Sequence, residues 1–214
     1  MKKQNAYLKK QYQQGIVLFI ALVALMVMSL AAAALIRNVD TNSMIAGNLS
    51  FQQSALVSSS RGGESALAWL KTQSDTGLSV FNNNVKASGY YATYGSIDGA
   101  GVDLDDSADL RNNNTWNTYS AVATGSGITA GVETASQNQI NYIIERMCSK
   151  AAKPANDKTN KCLMGKSSLD PDKGVKSASE AGAKLPSGDS PIYRITVRVT
   201  GPKNTQSYSQ VYAY

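Results

Sequence analysis

From Ile16 to Ile36 the chain reads IVLFIALVALMVMSLAAAALI, 21 residues with no charge and one hydroxyl, Ser29. At about 1.5 Å per residue, a helix of that length covers roughly the 30 Å hydrocarbon core of a bilayer. Such a stretch constrains everything attached to it, because lipid or other apolar surface must cover it. One reading is a plain single-pass anchor. Another is a secretory signal, since Ser29–Leu35 (SLAAAAL) offers small residues at the spacing such a cleavage site needs.

The flanks bear on that choice. Residues 1–15 carry Lys2, Lys3, Lys9 and Lys10 and no acid. By the positive-inside rule this end stays in the cytoplasm and everything after Arg37 lies outside. An ordinary signal would be cut near Ala33 or Ala34. Here the apolar run continues through Leu35 and Ile36 into a segment that still reads as helix. That favours a cut ahead of the run, at Gly15, or none at all.

A short basic leader ending in Gly15, followed by a long apolar helix that continues into a soluble stalk, resembles the class III signal of type IV pilins. Asn42–Leu70 (NSMIAGNLSFQQSALVSSSRGGESALAWL) is similar to the stalk of PilX-type minor pilins. Tyr142–Met147 (YIIERM) and Tyr193–Gly201 (YRITVRVTG) resemble that family's sheet strands. The likeness covers about the first 70 residues and patches of the last third. It implies cleavage by a prepilin peptidase between Gly15 and Ile16, then methylation of the Ile16 amine. It also implies a subunit stored in the inner membrane and later placed at the tip of a pilus on the cell surface. The implied partners are other minor pilins and the major pilin through the N-terminal helix, a large tip adhesin, and the inner-membrane assembly platform.

Two positions depart from the family pattern. Gln13 and Gln14 stand where a basic residue usually precedes the glycine. Ile20 is the fifth residue of the mature chain, where most pilins have a glutamate. That carboxylate is thought to neutralise the terminal amine of the preceding subunit, and unpaired in the membrane it would cost several kcal/mol. A subunit with nothing ahead of it gains nothing from the charge, so Ile20 fits a tip or priming subunit; neutral drift is the alternative. Type II secretion pseudopilins of the tip class also lack the glutamate. They tend to be longer, with an inserted helical domain for which this chain has little room. A membrane-anchored periplasmic binding protein or enzyme on an uncleaved helix is the reading from a different class.

The division that follows is a leader at 1–15, a transmembrane helix at 16–36, an amphipathic stalk at 37–72 and a periplasmic domain at 73–214. The formal charge of +6 includes the four leader lysines, and the remainder is scattered, so no nucleic-acid surface is expected. Cys148 and Cys162 lie on the outer side, where an oxidising compartment predicts a disulfide contributing about 3 kcal/mol. The thirteen-residue gap and the absence of histidine argue against a metal or redox pair. Without histidine there is no histidine base and no Ser-His-Asp triad. Ser58–Ser60 with Lys71 is no Ser-x-x-Lys motif and Gly62–Gly63 no phosphate loop. An enzyme is not expected.

In the stalk, Ile45, Leu49, Leu56, Leu67 and Leu70 recur at sums of three and four, the stripe of an amphipathic helix. Gly47, Gly62 and Gly63 each cost about 1 kcal/mol in a helix interior, so they are read as sites of close packing or bending. Trp69 is placed in the core where stalk and domain meet. Ser74–Gln137, rich in Gly, Asn, Ser, Thr and Asp, reads as a long irregular connection with one short helix and one short strand around Trp116–Ala123. Within it Asp98, Asp103, Asp105, Asp106 and Asp109 crowd together. Asp103, Asp105, Asp106 and Asp109 are candidate oxygen ligands for calcium, but the spacing is not an EF-hand and a solvated acidic loop is the preferred reading. No other cofactor is expected. Asp105 and Asp109 could in principle serve a hydrolase, although nothing marks a cleft around them.

Asn138–Met147 reads as a strand with Ile140, Tyr142 and Ile144 on one face. Ser190–Thr200 alternates Tyr193, Ile195, Val197 and Val199 inward with Arg194, Thr196 and Arg198 outward. Gly201–Asn204 is a turn and Gln206–Tyr214 the returning strand. The expected fold is α+β: a long N-terminal helix packed on an antiparallel sheet of three or four strands, a pilin-like roll with long irregular loops. The stretch between Cys162 and Pro191 reads as loop.

Overall fold

The computed structural model describes residues 16–165 and 190–214. Residues 1–15, which hold the expected leader and Gly15, lie outside these, as does most of the expected loop after Cys162. The described chain falls into two units, divided between Leu49 and Ser50.

In the first unit the described residues are a single element, the beginning of helix α1 (Ile16–Thr76). Its most apolar window has a mean hydropathy of 2.9 and none of it is buried, so this helix is long and apolar enough to cross a membrane. The absence of proline or charge between Ile16 and Ile36 lets it run without a break.

In the second unit the remainder of α1 packs on a sheet. Its buried positions are Ala55, Ser58, Ser59, Gly62, Gly63, Ser65, Ala66 and Leu70. These follow helical spacing, but the expected leucine stripe is only partly the core face. Leu70 is buried, whereas Leu56 is 63% exposed and Leu67 39%; Ile45 and Leu49, in the first unit, are exposed as well. The period is as expected and the phase is one residue off, because the helix lies too near the sheet for leucine. A Cβ on Gly62 would stand 2.5 Å from Val197 Cγ1 and 2.8 Å from Ile140 Cγ2. Trp69 packs against the core beside Phe81 and Tyr90, as expected.

Among the described residues the main sheet has seven strands, where three or four were expected. Three carry it: β5 (Gln139–Arg146), β8 (Tyr193–Thr200) and β9 (Gln206–Ala213), all antiparallel. The other four are two-residue pieces from the region expected to be irregular but for one short strand near Ala123, which β2 matches: β1 (Tyr90–Tyr91), β2 (Ala121–Val122), β3 (Ile128–Thr129) and β4 (Val132–Glu133). β4, β2 and β1 each pair with β5, and β3 pairs with β4; only β1 runs parallel to its partner. Gly89 leads into β1 at φ 62°, where a Cβ would meet the backbone of Ala121 and Tyr142 at 2.7 and 2.8 Å. The expected strand at Ser190–Thr200 is split at Ile192. Its first part, β7 (Ser190–Pro191), pairs with β6 (Met164–Gly165) in a separate two-stranded sheet. The β8–β9 hairpin turns through Gly201–Thr205, with Asn204 at φ 58°.

Both faces of the sheet are covered. Ile140, Tyr142, Ile144, Ile195, Val197 and Val199 face α1. Against the other face lie Ile97, Leu104 and Trp116, packed with Tyr91 and Ile143. This second layer includes the short helices α2 (Ser107–Arg111) and α3 (Asn113–Tyr119), capped by Asp106 and Asn112. It buries Arg194, Thr196 and Arg198, which alternation alone placed outward to solvent.

Gly62→Ala is expected to lower the melting temperature of the detergent-solubilised full chain. Overpacking of about 1–3 kcal/mol outweighs a helix-propensity gain of about 1 kcal/mol. Gly47→Ala, with nothing within 4 Å of the added Cβ, is expected not to lower it. A Gly62→Ala chain that melts no lower than the parent would refute the close approach.

Candidate functional site

Two kinds of feature are candidates for function: the uncovered helix of the first unit, and the charged clusters that organise the second. On the helix, Ile16 and Ile20 are 68% and 60% exposed, and every large apolar residue from Ile16 to Ile36 presents its side chain outward. The expected cleavage partner Gly15 lies outside the described residues.

In the second unit three polar clusters fasten the layers. The first joins α1 to β4. Glu133, 8% exposed, accepts hydrogen bonds from Ser58 Oγ at 2.7 Å and from Ser136, and pairs with Arg61, which also donates to the Ser126 carbonyl. Asn138 Nδ2 donates to Ser58 Oγ and Ser54 Oγ at 2.8 and 3.1 Å. The hydroxyls of Ser136 and Ser58, then the Arg61 guanidinium, hold the Glu133 carboxyl down at a pKa of about 2.

The second cluster joins the sheet to its outer layer. Arg194 Nη2 and Nε donate to Glu145 Oε2 at 2.7 and 3.0 Å, and Arg194 also pairs with Asp105. Burial holds the Glu145 pKa above the usual carboxylate value, against the pull of Arg194. Four residues along β8, Arg198 donates to Asn113 Oδ1 and stands 5.8 Å over the Trp116 ring.

The third cluster holds the loop between the cysteines. Cys148 and Cys162 are bonded, with an S–S distance of 2.03 Å. Beneath the loop, Arg146 is 1% exposed and donates to the carbonyls of Ala92, Lys150 and Lys153 at 3.1, 3.2 and 2.9 Å. Buried Asn160 accepts from Lys150 N and donates to the carbonyls of Lys153 and Pro154.

The acidic residues do not converge. Asp103 accepts from Asp105 N at 3.0 Å, Asp109 accepts from Asp103 N at 2.9 Å, and Asp106 caps α2 through Ala108 N. Asp105 turns to Arg194, and Asp98 to Lys86 and Asn84, which hold its pKa below the ordinary value. Among the described residues no group of three or more His, Cys, Asp or Glu side chains is placed to hold a cation. Of the four calcium candidates, Asp103, Asp106 and Asp109 accept turn and cap hydrogen bonds and Asp105 pairs with Arg194.

Sequence reasoning did not single out Glu133, Glu145, Arg146, Arg194 or Arg198 as site residues. For four of them a signal existed: a charge set inside an apolar, β-branched strand is buried as soon as both faces of that strand are covered. Glu133 carried no such mark, since its two-residue strand has no period.

These features define an α+β protein in which a long, apolar N-terminal helix meets an antiparallel sheet, consistent with the pilin-like class. No protein-family model, curated protein or solved structure matches the chain.

Stability supplied by Glu133 is complete above its unfolded value of 4.5 and is lost as pH falls toward about 2, because the folded state holds the proton less tightly. Glu133→Gln is expected to cost about 1.5–3 kcal/mol at neutral pH and to flatten the decline across that window. Acid titration of the melting temperature checks this, and an unchanged slope would refute it. Replacing both cysteines by serine is expected to cost about 3 kcal/mol, read by chemical denaturation of the full chain. Parent and variant unfolding at the same denaturant concentration would show that Arg146 and Asn160 alone hold the loop.

Proposed function

We propose that the chain is a PilX-type minor pilin of a type IV pilus, acting in the tip and priming complex and supporting pilus biogenesis, adhesion and twitching motility. One observation carries the reading: from Ile16 onward α1 carries large apolar side chains that no other described residue of its unit covers, a surface suited to lipid or sister helices. Before assembly the helix sits in the inner membrane, with the N-terminus cytoplasmic and the globular unit periplasmic. On extraction it trades lipid for the helices of other minor pilins and the major pilin, Ala31–Ala34 allowing close approach. The prepilin peptidase cuts between Gly15 and Ile16 and methylates the Ile16 amine. Ile20 supports a position with no subunit ahead of it, beneath a large adhesin and above the assembly platform.

A second reading, a type II secretion pseudopilin of the tip class, shares the missing glutamate. The helices between α1 and β5 are only five and seven residues long, which favours the pilus.

The intact mass of the membrane-extracted protein tests the proposal. Loss of residues 1–15 with addition of one methyl group is expected. Retention of those residues would leave a plain anchor, and a cut near Ala33 a secreted protein; either overturns the pilin reading.

A further inference from the structure

The two edges of the main sheet are unlike. At one edge stands β3, two residues long and hemmed by Gly127 and Gly131 at φ 73° and 81°, too short to template another chain. At the other edge stands β9, eight residues in unbroken register with β8 and paired with nothing else among the described residues. Among the described residues β9 shows no device that protects an edge: residues 204–214 contain no charged side chain and no proline, and the register shows no bulge.

The hydrogen-bond alternation shows which groups are free. Gly201 N–H donates to the Thr205 carbonyl, and Met147 N–H to the Ile192 carbonyl. Carried along antiparallel ladders, both bonds give one phase: Tyr193, Ile195, Val197 and Val199 bond toward β9, and Arg194, Thr196 and Arg198 toward β5. Ser207, Ser209, Val211 and Ala213 therefore bond to β8. The N–H groups of Tyr208, Gln210 and Tyr212 point away from the sheet, in line. On the face toward α1, the edge carries small residues beside Gly63, and Val211 is left 39% exposed. An added strand with a bulky apolar residue at alternate positions would cover it.

We infer that β9 is a docking edge, and that its occupant is an extended segment of a different protein of the assembly, rich in β-branched or aromatic residues at alternate positions. This rests on the pilin reading for the identity of the assembly. The chain's own residues 166–189 leave at Gly165, beside Tyr214, and return at Ser190. They contain one β-branched residue, two prolines and eight charges, a composition depleted in what a pairing strand needs. Main-chain hydrogen bonds along Tyr208–Tyr212 supply the affinity and the alternate side chains the selectivity.

Amide exchange read residue by residue tests this on the full processed chain, alone in detergent and in the complex that co-purifies with it from membranes. The amides of Tyr208, Gln210 and Tyr212 are expected to exchange fast in the isolated chain and to slow at least about tenfold in the complex, while Ser207, Ser209 and Val211 are protected in both. Protection already complete in the isolated chain would assign the edge to residues 166–189, and protection in a complex of this chain only would assign it to a second copy. Either result, or no change, overturns the inference. Gln210→Pro removes one outward donor and is expected to cut the yield of the complex at least about tenfold, with Gln210→Ala within about twofold of the parent. Equal yields would overturn it too. Retention of residues 1–15 alongside alternating protection would remove the pilin reading and leave the edge pairing standing.

Discussion

The globular unit depends on how near α1 comes to the sheet at Gly62. At that distance no side chain larger than alanine or serine fits between Ala55 and Ala66, and the packed surface consists of small residues against Ile140, Val197 and their neighbours. Close approach yields dense dispersion contacts without deep knobs. It also frees the large apolar residues of the same stretch, Leu56 and Val57, from any duty in the core. The polar side chains that come along are satisfied: Ser58 reaches Glu133 and Ser65 reaches Thr124 N, so the interface is hydrogen-bonded as well as close.

A second constraint follows from covering both faces of one sheet. Residues of β5 and β8 that would look to water in a two-layer fold are enclosed by the segment from Tyr91 to Tyr119. The charges among them must then find partners or cost several kcal/mol. Glu145 and Arg194 answer each other across the strands, and Arg194 extends the link to Asp105 in the covering layer. Arg146 is answered by carbonyls and Asn82, which ties the cysteine loop to the same end of the sheet. The three clusters do one job, fixing irregular segments where composition alone offers little apolar area.

These facts explain what the sequence could disclose. The long helix, the β8–β9 hairpin, strand β5 and the Cys148–Cys162 bond were legible because each has a period, a turn or a pair that acts over short range. The phase of the buried face was misjudged because Leu56 and Leu67 are more hydrophobic than Ala55 and Ala66, and hydrophobicity does not report interlayer distance. β1, β3 and β4 were missed since two residues cannot show alternation, whereas the short helix and short strand expected around Trp116–Ala123 correspond to α3 and β2. The covering layer was hidden by its Gly, Asn and Asp content, although Ile97, Leu104, Leu110 and Trp116 recur within it at intervals of six or seven residues. Asp106 and Asn112 were visible as capping residue types, but reading the aspartates together as a solvated acidic loop assigned none of them a cap.

The same distinction separates what holds this protein together from what it offers to others. Core packing in the globular unit uses alanine, serine and glycine on α1, whereas bulky residues stay outside: Leu56 and Val57 there, and in the other unit every large apolar side chain from Ile16 onward. A chain selected only to fold alone would have placed its leucines in the core, where burying each contributes about 1.5–3 kcal/mol. From Ile16 to Ile36 so long an uninterrupted apolar surface calls for another phase to take it up, whereas single exposed residues such as Leu56 and Val57 do not. Lipid suffices for Ile16 to Ile36. Leu56 and Val57 stand on the outer side of the stretch of α1 whose small residues pack on the sheet, so the same phase that permits the close approach at Gly62 sets them out to solvent.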